Sequence, residues 1–558
     1  MLSGCCDKMI CKMILTSLVS NDADPDSGAD KGFMMIGKTM CESDRAYPAP
    51  GSEAQSGSLN PIGLIIPPSA FLLDERVFVS LGILKIASAL EQQGHAVALL
   101  DLSGIKNFDD ALVSFLDDNV IKVIGITATT PQLPAIAVVA ATIRRLRPDI
   151  RLILGGPHVT LVYAALKLER RTRPGVQGRA AQAAAQLEEM FDVLVTGDGE
   201  RAVFAALAPD APKVIDGDDN KGPYFLSNAD FTASPLPARH LIDLNTYKYS
   251  IEGSPATSLI AQLGCPFSCG FCGGRNSKSL RIIRTRTVES ILAEVKFLHK
   301  EYGYTGFMFY DDELNVTKTM VNLLNGLADL QEELGAKFQL RGFVKAELFT
   351  EEQAEAMVRA GFRWLLCGFE AAHPRILTNI RKRATLEENT RAVEIAKKYG
   401  LKVKALMSLG HPGETEETAL SIRDWLIKSQ VDDFDCTVIT TYPGTPYYDE
   451  AVPHPDLPDV WTYTQPETGD RLHSENVNFM RTAEYYKGDP EGGYVSHIFT
   501  DALSPRDIVN LRNVIERDVR AALGIPFNPS RAAVLYEHSM GQSLPPFILR
   551  SSSVTQHQ

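Results

Sequence analysis

Residues 264–274 read GCPFSCGFCGG, and three thiols, Cys265, Cys269 and Cys272, fall there in the spacing Cys-x3-Cys-x2-Cys. Such a triplet can hold three irons of a cubane iron–sulfur cluster and leaves the fourth iron without a protein ligand. A closed four-cysteine site moves electrons or staples a fold. An open iron can bind and reduce a substrate.

Around this loop, six strand-like runs alternate with helical runs between about 251 and 450. The strands are TSLIAQLG (257–264), GFMFYDD (306–312), FQLRGFV (338–344), WLLCGFE (364–370), VKALMSLG (403–410) and CTVITTYPGTP (436–446). The helices are punctuated at both ends. Thr350 with Gln353 and Thr385 with Glu388 read as capping boxes. Gly303, Gly335, Gly361 and Gly400 each follow a helical run where a left-handed residue is needed. Met320, Leu323, Leu324, Leu327 and Leu334 form one apolar stripe and read as core. Repeated β–α units in this order predict a partial (β/α)6 barrel. Chemistry in parallel barrels collects at the C-terminal strand ends, and the cysteine loop follows the first strand.

The cysteine spacing in that position resembles the signature of the radical S-adenosylmethionine (SAM) superfamily. The resemblance implies a [4Fe–4S] cluster on Cys265, Cys269 and Cys272. Its open iron would chelate the amino and carboxylate groups of SAM, and electron transfer would cleave SAM to a 5'-deoxyadenosyl radical. It also implies SAM contacts at the other strand ends. Phe271 stands where an aromatic packs near adenine. Asp311-Asp312-Glu313 occupies the place of a Gly-Gly-Glu motif that meets the SAM amino group. Glu370, in Gly-Phe-Glu, would accept from the ribose hydroxyls. Lys382 falls where a basic residue meets the carboxylate, with Arg381 and Arg383 as adjacent alternatives. Gly410-His411-Pro412-Gly413-Glu414 follows strand five, and Tyr442-Pro443-Gly444-Thr445-Pro446 follows strand six, bordering adenine.

Upstream, residues 60–225 alternate short β-rich runs with helical patterns: GLIIPP (63–68), VALLD (97–101), KVIGITA (122–128), RLILGGP (151–157) and DVLVTG (192–197). Ile83, Ile86, Ala87 and Leu90 share one helical face, and Gly94 ends that helix. Strand–helix alternation predicts a doubly wound parallel sheet, whose ligands sit beyond the C-terminal strand ends. The Gly-rich turns fall at those ends. No Gly-x-Gly-x2-Gly opens the first helix, which disfavours a nicotinamide site.

In order, these segments resemble the Rossmann-like cobalamin-binding domain found ahead of many radical SAM cores. That resemblance implies cobalamin contacts at Ser103, Gly104, Thr127, Thr129, Gly155, Gly156, Pro157, His158, Gly197, Gly199 and Glu200. The best-known cobalamin domains carry Asp-x-His-x2-Gly, whose histidine ligates cobalt. Here the stretch is Asp101-Leu102-Ser103-Gly104-Ile105-Lys106. Ser103 stands in the histidine's place, and a neutral hydroxyl is a poor cobalt ligand. His158 is the nearby alternative, although a turn histidine is more often structural or in contact with the nucleotide tail.

A chain of 558 residues is too long for one core. The sequence divides into a disordered extension (1–59) holding Cys5, Cys6, Cys11 and Cys41, a cobalamin-binding domain (60–225), a linker (226–250), a radical SAM core (251–450) and a mainly helical or irregular C-terminal region (451–558). Within the last, 452–500 reads as irregular, and Ser504, Pro505 and Gly524 frame a helix. A net charge of −13 argues against a broad nucleic-acid surface. No apolar run reaches the length of a membrane span. A cluster-binding triplet implies a reducing compartment, the cytoplasm.

Cys367 and Cys436 lie within apolar strands and read as packed thiols. No cysteine follows Cys436, which removes the branch with C-terminal auxiliary clusters. Residues 60–225 hold none, which removes methylthiotransferases. The resemblance therefore implies a cobalamin-dependent radical SAM methyltransferase. Its substrate would be an unactivated carbon, or less often phosphorus, of a small molecule or natural product, and a flavodoxin- or ferredoxin-like protein would donate electrons. Cyclisation, rearrangement or another redox step is the second reading, and a non-catalytic cobalamin-binding protein the third.

Overall fold

In the computed structural model, residues 60–525 are described except 70, 71, 73, 74, 106, 176 and 484–493. The expected N-terminal extension with its four cysteines, Lys106, Tyr485, Tyr486 and the C-terminal tail lie outside the described residues. The first sheet holds β1 (Ile62–Ile66), β2 (Val97–Asp101), β3 (Val123–Thr127), β4 (Arg151–Gly155), β5 (Val193–Gly197) and β6 (Val214–Gly217). All pairs are parallel, in the order β2-β1-β3-β4-β5-β6. The order reverses between β1 and β3, the topological switch point where doubly wound sheets bind ligands. All five residues of β1 are buried, as helices on both faces require. On the helix Leu81–Gln92, Ile83, Ala87 and Leu90 turn inward as the periodicity predicts, and Ile86 packs against the same core. β6 was not expected. Its four residues, VIDG, are too short and too polar to show a strand pattern.

Two strand-end turns need glycine. Gly156 has φ 95°, and a Cβ on it would stand 2.7 Å from the Ala128 amide nitrogen. Gly197 has φ 71°, and a Cβ there would fall on the Gly217 backbone. Gly197→Ala therefore combines left-handed strain with a backbone clash. It is expected to destabilise the first domain by about 2 kcal/mol or more. A denaturant midpoint unchanged from wild type would contradict this.

The second sheet is an open half-barrel. β7 (Ser250–Ile251) and β8 (Ser254–Leu259) form its first edge. β9 (Gln262–Leu263) and β10 (Arg284–Thr285) form a separate antiparallel clip around the cysteine loop. β11 (Gly306–Phe309), β12 (Gln339–Phe343), β13 (Phe362–Glu370), β14 (Lys402–Leu409) and β15 (Asp433–Val438) complete the order β15-β14-β13-β12-β11-β8-β7. The six strands read from the sequence are all present and parallel, and β7 adds an antiparallel edge. The capping boxes at Thr350 and Thr385 form. Gly303, Gly335, Gly361 and Gly400 are all left-handed. Cys367 and Cys436 are buried in strands, as expected.

The C-terminal region differs from expectation. Residues 452–500 carry a four-stranded antiparallel sheet of β16 (Val452–Pro453), β17 (Val460–Thr464), β18 (Arg471–Glu475) and β19 (Ile498–Thr500). Its buried positions include Thr462, His473 and Ser474, whose polarity hides the alternation. The helix Pro505–Leu523 runs from the Ser504 cap to a left-handed Gly524 as predicted. Among the described residues, no helix is long and apolar enough to cross a membrane.

Candidate active site

The cysteine loop springs from the clip beside the end of β8 and is tied at three points. The Cys265 amide donates to the Leu280 carbonyl (3.0 Å), Gly270 N to Ile380 O (2.7 Å) and Gly274 N to Gly444 O (3.0 Å). None of the three thiols is in a disulfide; Cys265 and Cys272 are buried and Cys269 is half-buried. Among the described residues, no group of His, Cys, Asp or Glu converges tightly enough for a single metal ion. A cubane needs its ligands further apart, one for each corner. Burial pushes the Cys269 thiol up, and the Lys382 and Lys345 charges oppose that. Three thiols outside any disulfide, faced by two cations, fit an anionic cluster with one open iron.

At the β13 end, Glu370 takes φ 68° at a break in the β13–β14 register. Strain of this kind in a non-glycine residue gathers at functional sites. One Glu370 oxygen lies 3.4 Å from Lys382 Nζ, and the other accepts from Ser408 Oγ (2.8 Å). Ser408 Oγ is in turn 2.8 Å from His411 Nε2. The His411 ring lies 5.3 Å from Phe271, centroid to centroid. Burial, and then the Lys382 charge, push His411 down to about 3, so its imidazole is neutral. Its Nδ1 and the buried Tyr447 hydroxyl have no hydrogen-bond partner among the described residues. These orphaned polar atoms beside the cysteine loop fit a polar ligand such as SAM.

The expected acidic triplet splits. Asp311 accepts from the amides of Ala261 (3.0 Å) and Gln262, and Asp312 from that of Gly264 (3.1 Å). Both carboxylates thus brace the approach to the cysteine loop. The Glu313 charge acts on Lys382. Burial alone would lower the Lys382 ammonium, but Glu370, Cys269, Glu313 and Glu347 together hold it above its ordinary value. Of the three adjacent cations, Lys382 is the buried one. Arg381 donates to the Tyr463 hydroxyl (2.7 Å), and Arg383 is exposed. The structure therefore brings Phe271, Glu313, Glu370 and Lys382 together with Cys269.

Lys345, Ser408 and Tyr447 join them unexpectedly. Asn315 grips the Lys345 backbone through two bonds of 2.8 and 3.0 Å, and Lys345 pairs with Glu347. Such contacts between distant strands leave no local sequence signal.

Glu414 accepts from the amides of Gly410 and His411, yet burial raises its carboxyl to about 7. A folded value above the ordinary 4.5 means that the folded chain holds the proton longer than the unfolded one. This contribution to stability is full below pH 4.5 and is lost as pH rises towards 7, by about 3 kcal/mol at most. Glu414→Gln is expected to flatten the fall in denaturation midpoint between about pH 5 and 7. An identical slope in wild type and variant would refute the assignment.

A cavity of about 280 Å³ opens between the C-terminal ends of the first sheet and the clip. Ser103, Thr127, Thr129, Gly155, Gly156, Pro157, Gly197, Gly199 and Glu200 line one side, and Gln262, Gly264, Leu280, Arg284, Tyr310 and Asp312 lie across from them. A Cβ on Gly155 would meet nothing closer than 3.8 Å, so bare backbone faces the space. That is the approach a large flat ring needs, and the strand ends fit a corrin. Gly104 and His158 are not among the lining residues. His158 is buried with Nδ1 3.0 Å from Thr130 Oγ1, and burial pushes it down to about 3. The Gly156 turn aims it into the fold rather than at the cavity.

A doubly wound domain with Gly-rich strand ends, facing a half-barrel with a three-cysteine loop, defines a two-cofactor radical enzyme. Residues 75–188 match the B12 binding domain and residues 259–426 the Radical SAM superfamily. The chain thus joins a B12 binding domain to a radical SAM domain. It is 28% identical to an uncharacterized methyltransferase of Pyrococcus horikoshii over 397 residues, covering 70% of this chain and 82% of that one. It is 24% identical to an anaerobic magnesium-protoporphyrin IX monomethyl ester cyclase of Rubrivivax gelatinosus, covering 57% of this chain and 58% of that one. Its fold matches that of TsrM, a radical SAM methyltransferase of Kitasatospora setae solved with cobalamin and a [4Fe-4S] cluster. The TM-score is 0.57 at 16% identity, covering 84% of this chain and 90% of that one.

Proposed function

We propose that the chain transfers a methyl group to a carbon, or less often phosphorus, too weakly nucleophilic for ordinary SAM chemistry. One observation carries this reading: the glycine strand ends of the first domain and the clip that holds the cysteine loop wall the same cavity. Ligands held by the two domains would meet there, as a shared reaction requires. When bound, the cluster supplies the electron that cleaves SAM, and cobalamin supplies the methyl group. The chain's own residues do the rest. Lys382 orients a carboxylate by a charge-assisted bond. Glu370 accepts from hydroxyls, with Ser408 fixing its second oxygen. Neutral His411 offers one more polar atom without adding charge. The substrate would be a small molecule, and a flavodoxin- or ferredoxin-like protein would deliver electrons in the reducing cytoplasm that such a cluster needs.

Similarity to the cyclase favours a second reading, ring closure with the same cofactors. The test is anaerobic reconstitution with iron, sulfide and hydroxocobalamin, then reductant, methyl-deuterated SAM and candidate substrates. Mass transfer of the labelled methyl is the expected result. Deoxyadenosine with an altered, unmethylated product would favour cyclisation. No SAM cleavage at all would sink both readings.

A further inference from the structure

The cysteine loop is held from the other domain. Cys265 donates to the carbonyl of Leu280, and the segment 277–280 that carries Leu280 is gripped by Asp218, the residue just after β6. A single Asp218 oxygen accepts from Ser277 Oγ (2.6 Å), Ser279 N (2.8 Å) and Ser279 Oγ (2.7 Å). Ser277 Oγ also accepts from the Leu280 amide (3.2 Å). A second grip runs through Arg284 of β10, which donates to Asp198 in the Gly197–Glu200 turn and to the Ser279 carbonyl. Asp218, Ser277, Ser279 and Arg284 are all at most 3% exposed. Leu161, also from the first domain, packs where a Cβ on Gly273 would stand 3.2 Å away.

A half-barrel can close its own loop with its own backbone, as the bonds to Ile380 and Gly444 do here. The additional charged grips reach across the domain boundary, and they share the cavity wall. Asp198, Ser279, Leu280 and Arg284 all line the same space as Gly197 and Gly199. A ligand filling that space would touch the residues that hold Cys265. Buried, charge-assisted bonds transmit such a change because they have few alternative arrangements.

We propose that Asp218 and the Asp198–Arg284 pair are positioning residues that set the cysteine loop from the first domain, so that cobalamin binding and cluster binding strengthen each other. The proposal rests on the reading that the cavity takes cobalamin. Coupling of this kind is reciprocal. The full chain, with and without a reconstituted cluster, is titrated with hydroxocobalamin by equilibrium dialysis. The wild type is expected to bind roughly fivefold or more tightly when the cluster is present. Asp218→Asn and Ser277→Ala lie off the cavity wall. They should leave the cluster-free dissociation constant unchanged and bring the ratio towards one. Hydroxocobalamin should also slow iron loss to a chelator in the wild type and not in the variants. Equal constants with and without the cluster in the wild type would overturn the proposal, as would a ratio that survives in both variants. Failure of the wild type to bind hydroxocobalamin at all would instead overturn the cobalamin reading, and this proposal with it.

Discussion

Cys269→Ala is expected to purify as a folded, cobalamin-binding chain that shows no [4Fe–4S] absorbance after anaerobic reconstitution and no SAM cleavage above background. Two thiols can hold only two corners of a cubane. The substitution itself is mild. Cys269 is half-buried, and the loop keeps its backbone ties through Cys265, Gly270 and Gly274. Lys382 and Lys345 lose an anionic neighbour but retain Glu370 and Glu347. The comparison that isolates the cluster is Cys367→Ala or Cys436→Ala. Both thiols are buried in strands, and burial pushes both well above the ordinary thiol value. Each should cost about 1–2 kcal/mol of stability through the void it leaves, with iron content unchanged. Iron and sulfide counts at wild-type level in Cys269→Ala would refute the assignment of the cluster to this triplet.

The features legible in the sequence are those set by local rules. Strand ends bounded by glycine, capping boxes and left-handed stops each need a specific residue type at a specific offset. The Thr350 and Thr385 caps and the Gly303, Gly335 and Gly361 stops fall where the sequence predicts. The cysteine loop is legible for the same reason, since three thiols within eight residues converge whatever the distant chain does. Long-range partners were not legible. Lys345 reaches the site because Asn315 holds its backbone from the loop after the neighbouring strand, 30 residues away in sequence. Ser408 donates to Glu370 where the β13–β14 register breaks between Gly368 and Glu370. Asp311 and Asp312 sit where a SAM-contacting motif was expected, yet their carboxylates cap backbone amides of the preceding strand's exit. A motif's position in the chain fixes the strand end that it occupies. It does not fix which way a side chain turns, because nearby unsatisfied amides compete for the same carboxylate.

Lys382→Gln is expected to weaken SAM binding to the cluster-loaded chain by roughly 10- to 100-fold, as the loss of a buried, charge-assisted bond implies. The side chain is 6% exposed and held 3.4 Å from Glu370. Its charge also acts directly on Cys269. A glutamine keeps a donor and most of the volume, so a fall in affinity reports lost charge more than lost packing. Two neighbours supply the controls. Lys345→Gln removes a cation already paired with Glu347 and resting 4.2 Å over the Phe267 ring, so its effect on SAM should be several-fold smaller. Arg381→Gln removes a side chain committed to the Tyr463 hydroxyl and should leave SAM affinity within about twofold of wild type. Equilibrium dialysis with SAM, at matched iron content, reads all three. If Arg381→Gln fell as far as Lys382→Gln, the carboxylate anchor would lie one residue earlier in the chain, and the buried lysine would instead be a counter-charge to the cluster thiolates. A Lys382→Gln chain that bound SAM normally but lost iron faster to a chelator would point the same way, because removing the cation would then expose the mutual repulsion of the three thiolates.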